Sequence, residues 1–141
     1  MVDARTAPYG LLLLRLALGF MWLTHGLMKV FVFTIPGFAG FLAKIGLPSQ
    51  LALPLIAAEI VGGLLIMSGV YARQVAVLLI PVMLGALNFH LPNGWVFSAP
   101  GGGWEYPAFL VVASLVVALA GEGAYALKPA ALIPGRRPAV A

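Results

Sequence analysis

From Gly10 to about Val32 the chain is apolar for a stretch long enough to cross a bilayer, for which roughly 20 helical residues suffice. The run nevertheless carries Arg15, His25 and Lys29. Arg15, Gly19, Trp22, Gly26 and Lys29 follow one another at steps of four, three, four and three, so on a helix they share one stripe. His25 lies beside that stripe, one turn before Lys29. Lipid cannot solvate ionisable groups, which in a span face protein or a water-filled cavity. Glycines on the same stripe let a second backbone come close. The spacing therefore predicts a helix that turns one polar, glycine-lined face toward partner helices.

Composition supports membrane residence. Only 9% of residues are charged and 62% are hydrophobic, against about 25% charged in a soluble domain. The 141 residues allow one domain. The net charge of +4 is scattered or sits at loop ends, with no basic face of the kind that binds nucleic acid. Cysteine is absent, which excludes disulfides, thiolate metal sites and dithiol–quinone exchange. Arg15 interrupts what would otherwise pass for a signal-peptide core, so the first run is expected to remain as an uncleaved span.

Beyond the first run, Phe38, Phe41, Leu42 and Ile45 recur at helical spacing between Pro36-Gly37 and Gly46-Leu47-Pro48, predicting a short amphipathic helix at the interface. A second span is expected over about 51–70. There Leu55, Glu59, Gly62, Ile66 and Gly69 repeat the four-three spacing, and Arg73 completes the stripe. A third runs over about 74–90, with Pro81 mid-span and Gly85 and Asn88 on one face. Trp95, Phe97 and Trp104 read as an interfacial belt around the flexible run Gly101-Gly102-Gly103. A fourth span is expected over about 104–121, and residues 128–141 read as a disordered tail. The fold expected is an all-α four-helix membrane bundle over residues 1–127. Arg5, Arg73, Lys128, Arg136 and Arg137 fall on one side and Lys29 and Lys44 on the other, which puts both termini in the cytoplasm.

Measured from the outer ends of their helices, Glu59 lies roughly 12 Å deep and His25 roughly 10–12 Å. These two are the candidate catalytic pair, with Glu59 expected to face His25. Arg15, Trp22, Lys29, Asn88, His90 and Glu105 are the candidate ligand-binding residues around them. The structural alternatives are an ion pair that only fixes helix packing for Glu59, an Arg15 that reaches to the cytoplasmic interface, an outward-reaching Lys29, and helix-end roles for His90 and Glu105. Glu59 and Glu105 are followed three residues on by Gly62 and Ala108, so the Glu-x-x-His pairs of di-iron bundles are absent. No motif for haem, flavin or iron–sulfur ligation is present, and no close-spaced metal-ligand pair.

The ordered set Leu13-Leu14-Arg15-Leu16-Ala17-Leu18-Gly19, His25-Gly26-Leu27-Met28-Lys29, Ile45-Gly46-Leu47-Pro48, Glu59 with Gly62-Gly63 and Gly69, Phe89-His90, and Gly103-Trp104-Glu105-Tyr106-Pro107 resembles the DoxX family of small bacterial four-span membrane proteins. The resemblance covers about Leu11 to Leu127. It implies a subunit of a quinone-linked redox system in the bacterial inner membrane, binding quinone or a similar small apolar ligand. Electron transfer would need a partner redox protein, or a second copy would complete the assembly. In that reading His25 and His90 donate to the ligand or carry protons, Glu59 relays protons, and Lys29 and Glu105 set the charge around them. The alternative is a non-enzymatic membrane carrier or an assembly factor for a partner membrane protein.

Overall fold

A computed structural model describes residues 3–130. Among the described residues there are five helices: α1 (Ala7–Phe31), α2 (Ile35–Lys44), α3 (Ala52–Ser68), α4 (Ala72–His90) and α5 (Glu105–Ala120). Short 3-10 turns, Ser49–Leu51 and Leu91–Asn93, introduce α3 and follow α4. Three segments, Ala7–Phe31, Ser49–Ser68 and Ala72–Asn93, are long and apolar enough to cross a membrane, and α5 is apolar but shorter. Large apolar side chains such as Leu13, Leu78, Phe109 and Leu119 stand 65–74% exposed on the outside. Water would not tolerate so much apolar surface, and lipid suits it.

The four-three stripe of the first helix is its buried face: Arg15, Leu18, Gly19, Trp22 and Gly26 are buried. The stripe seats against α3, whose buried face is Ala52, Ile56, Glu59, Gly62, Gly63 and Ile66. These two helices form the most extensive packing in the molecule, followed by α4 with α5. Contacts of α3 with α4 and of α1 with α5 close the ring. Leu18, Trp22, Ile66, Leu79, Met83, Leu110 and Val117 fill its centre. Pro81 sits inside α4, which continues through it. The amphipathic helix expected after the first span forms as α2, which buries Phe38 and Leu42 with Ala52 and Ile56 in a second apolar cluster.

The chain after α5 returns to the bundle. Ala124 donates its amide hydrogen to the Pro8 carbonyl, and Leu127 and Lys128 donate to Ser68 and Gly69. Tyr71 in turn donates to the Lys128 carbonyl. Lys128, where the tail was expected to begin, is thus held by backbone pairing with the α3–α4 turn. Residues 131–141, including Arg136 and Arg137, lie outside the described residues.

Candidate functional site

Where α2, the Leu91–Trp104 loop and the adjoining ends of the long helices meet, the bundle opens into a cavity of about 1440 Å³. Its wall is mostly apolar and aromatic, with two polar pairs set into it. The first joins α1 to α3: Lys29 Nζ lies 2.6 Å from Glu59 Oε2, with the side chains 15% and 5% exposed. The ammonium also stands 5.3 Å from the Phe38 ring centroid, close enough for a cation–π attraction. The carboxylate is therefore balanced, and two of the three Lys29 N–H bonds remain for other acceptors.

The second pair joins α1 to α5. Tyr106 Oη lies 3.2 Å from His25 Nε2 and 2.6 Å from Met21 Sδ. The two rings stack with centroids 5.5 Å apart. The phenol has one hydrogen. If it points to the sulfur, His25 carries its proton on Nε2 and donates to the phenol oxygen; if it points to Nε2, the imidazole accepts it. The pair thus has two proton arrangements at nearly fixed heavy-atom positions.

The mouth is braced by the remaining polar groups. His90 Nδ1 lies 3.0 Å from the Gly102 carbonyl oxygen, and Asn93 donates to the Gly101 and Gly102 carbonyls. Glu105 accepts the Phe97 amide hydrogen at 2.8 Å, and Trp95 and Trp104 meet edge to face. The glycine run that read as flexible backbone is pinned by these bonds.

Of the candidate residues, Trp22, His25, Lys29, Glu59, His90 and Glu105 line this one cavity. Two do not. Asn88 is exposed, on the side of α4 away from its buried stripe of Ala72, Ala76, Leu79 and Met83. Arg15 is 1% exposed and sits toward the other end of the bundle, donating to the Ala124 carbonyl at 3.0 Å. It reaches the returning chain after α5 and not Glu59. Glu59 itself takes Lys29 as partner, where depth alone suggested His25. Tyr106 is the residue that sequence reasoning did not select, although it stands next to Glu105 with a hydroxyl at the start of an apolar helix.

The sequence profile of the family described as DoxX matches residues 10–92. The chain is 34% identical over 121 residues to the protein named "Putative oxidoreductase CatD" of Bacillus subtilis (strain 168), an alignment covering 85% of each chain. No solved structure matches. A helical membrane protein with these residues in this order, matched by the profile over more than half its length, belongs to the DoxX family.

Proposed function

We propose that this protein is a subunit of a quinone-linked redox system in the bacterial inner membrane and that the cavity binds a quinone, a quinol or a similar small apolar ligand. The observation that carries this reading is the cavity itself: a large, mostly apolar space whose wall carries two polar pairs, each able to present a proton donor. A quinone head needs donors to its carbonyl oxygens and a path for protons, inside a slot that lipid-soluble molecules can enter. Lys29 supplies a fixed donor, oriented by Glu59. The Tyr106–His25 pair supplies a donor that can change its proton arrangement. Electrons pass to or from a partner protein. The name of the relative, an oxidoreductase, points the same way.

In this reading α5 is a fourth span. Its 16 residues rise about 24 Å, and Trp104 and Trp95 extend it into an interfacial belt. The α2 helix then lies at the outer interface and both termini are cytoplasmic. Reporter fusions at Ala141 and within the Ser98–Gly102 loop are expected to report opposite sides, with Ala141 inside. A C-terminus on the outside would reverse the topology and turn the cavity toward the cytoplasm.

Purified protein titrated with a short-chain benzoquinone tests the binding itself. All three tryptophans, Trp22, Trp95 and Trp104, line the cavity, so bound quinone is expected to quench their fluorescence saturably. Tyr106→Phe removes one donor and is expected to weaken binding roughly fivefold, about 1 kcal/mol. Absence of saturable quenching, with only phospholipid extracted from the purified protein, would favour the carrier or assembly reading instead.

A further inference from the structure

The cavity is larger than a compact ligand needs. Small-molecule sites hold about 300–1,000 Å³, against about 1440 Å³ here. Its polar pairs occupy one part of the wall, on α1, α3 and the start of α5. The rest of the lining is largely apolar and includes Pro81, Val82 and Gly85 of α4 together with Phe41, Leu51 and Leu55. Gly85 is both a lining residue and an exposed one, and a Cβ placed on it would meet nothing within 4 Å. It lies five residues before His90, about 7.5 Å along the helix from the mouth. The cavity therefore reaches the flank of the bundle within the apolar part of α4. Phe41 and Phe89, both lining residues, meet edge to face with centroids 5.0 Å apart.

We propose that the ligand carries a long apolar chain, and that the chain leaves the bundle sideways at Gly85 while the polar head stays at the Lys29–Glu59 and His25–Tyr106 pairs. This rests on the cavity being a ligand site, as argued above, and adds the class of ligand. A chained amphiphile fits a cavity of this size, which a compact head alone would leave partly empty. An isoprenoid quinone and a lipid acyl chain share this chemistry. A membrane-facing gap also makes entry from the bilayer direct, so the chain need not pass through water.

Gly85→Leu tests the gap with little risk to the fold, since the position is open and leucine is a better helix former than glycine. Gly10→Leu is the control, equally open and at the other end of the bundle. Three probes are titrated into the full-length protein by tryptophan quenching or competition: a benzoquinone without a chain, the same head with a decyl chain, and palmitoyl lysophosphatidylcholine. The wild type is expected to bind the decyl quinone at least tenfold more tightly than the chainless one. Gly85→Leu is expected to abolish that advantage, so that the variant binds the two quinones alike, and Gly10→Leu to preserve it. Equal effects on both quinones, or none, would overturn the portal and leave quinone binding standing. Binding of the lysolipid alone, with the same loss in Gly85→Leu, would support the portal and overturn the quinone. A wild type that binds none of the three would overturn both.

Discussion

Glu59→Gln is expected to lower the stability of the purified protein by about 3 kcal/mol, a fall in Tm of roughly 10 °C. The reason is the cation it leaves behind. Lys29 Nζ is held 2.6 Å from the carboxylate with little exposure on either side chain. A buried charge stripped of its partner costs several kcal/mol, whereas removing both charges together is often neutral. The double variant Glu59→Gln, Lys29→Met is therefore expected to recover to within about 1 kcal/mol of wild type. Ligand binding follows a different pattern, because both residues also line the cavity. The double variant, though refolded, is expected to remain defective in quinone quenching, having lost the fixed donor. Thermal melts in detergent beside quenching titrations separate the two effects. A single variant as stable as wild type would mean that the pair does not hold α1 to α3. A double variant that binds normally would remove Lys29 and Glu59 from the ligand site.

The choice of Lys29 over His25 as partner shows where sequence reading reaches its limit. Periodicity identified the buried stripes on α1 and α3, because a charge and two glycines at helical spacing leave little freedom about which face turns inward. Depth measured from helix ends carries an error of about one turn, and one turn is the distance between His25 and Lys29. The register is fixed instead by backbone contact. A Cβ at Gly26 would meet Ile60, and one at Gly63 would meet Leu23, which sets Glu59 level with Leu27, two residues from either candidate. Rotation then decides. Lys29 continues the stripe that faces α3, while His25 lies beside it and meets Tyr106 of α5.

The partner of Arg15 escapes the sequence for a different reason. It is a backbone carbonyl, Ala124, on a segment that returns through main-chain pairing with Pro8, Ser68 and Gly69. Such pairing leaves almost no trace in side-chain pattern, and a Gly- and Pro-rich stretch past the last apolar helix reads as a tail. Asn88 failed on rotation: five residues beyond Met83 is about 140° round the helix, on the far side from the buried stripe. Tyr106 was hidden among Trp104, Glu105 and Pro107, where an aromatic at a helix start resembles an interfacial anchor. Only the packing of α5 against α1 brings its hydroxyl to the imidazole.

The seam between α1 and α3 carries the Lys29–Glu59 pair, and Gly63→Leu is expected to break it. A Cβ at position 63 would lie 2.6 Å from the Leu23 amide nitrogen and 2.7 Å from the Gly19 carbonyl oxygen. Both are backbone atoms, so no rotamer change can make room. The helices would have to separate along the line where Gly19 faces Gly63. Overpacking a close-packed contact costs about 1–3 kcal/mol when side chains can adjust, and here they cannot, so the loss is expected at or above that upper figure. Separation would also lengthen the 2.6 Å contact between Lys29 and Glu59, four residues along α3, removing the balance of a buried charge at the same time. The variant is expected to fail as a monodisperse species on size-exclusion chromatography in detergent. Gly10→Leu, with nothing within 4 Å of its Cβ, should elute as wild type. If the two variants behave alike, α1 and α3 are not in backbone contact, and the register that levels Glu59 with Leu27, within reach of Lys29, loses its basis.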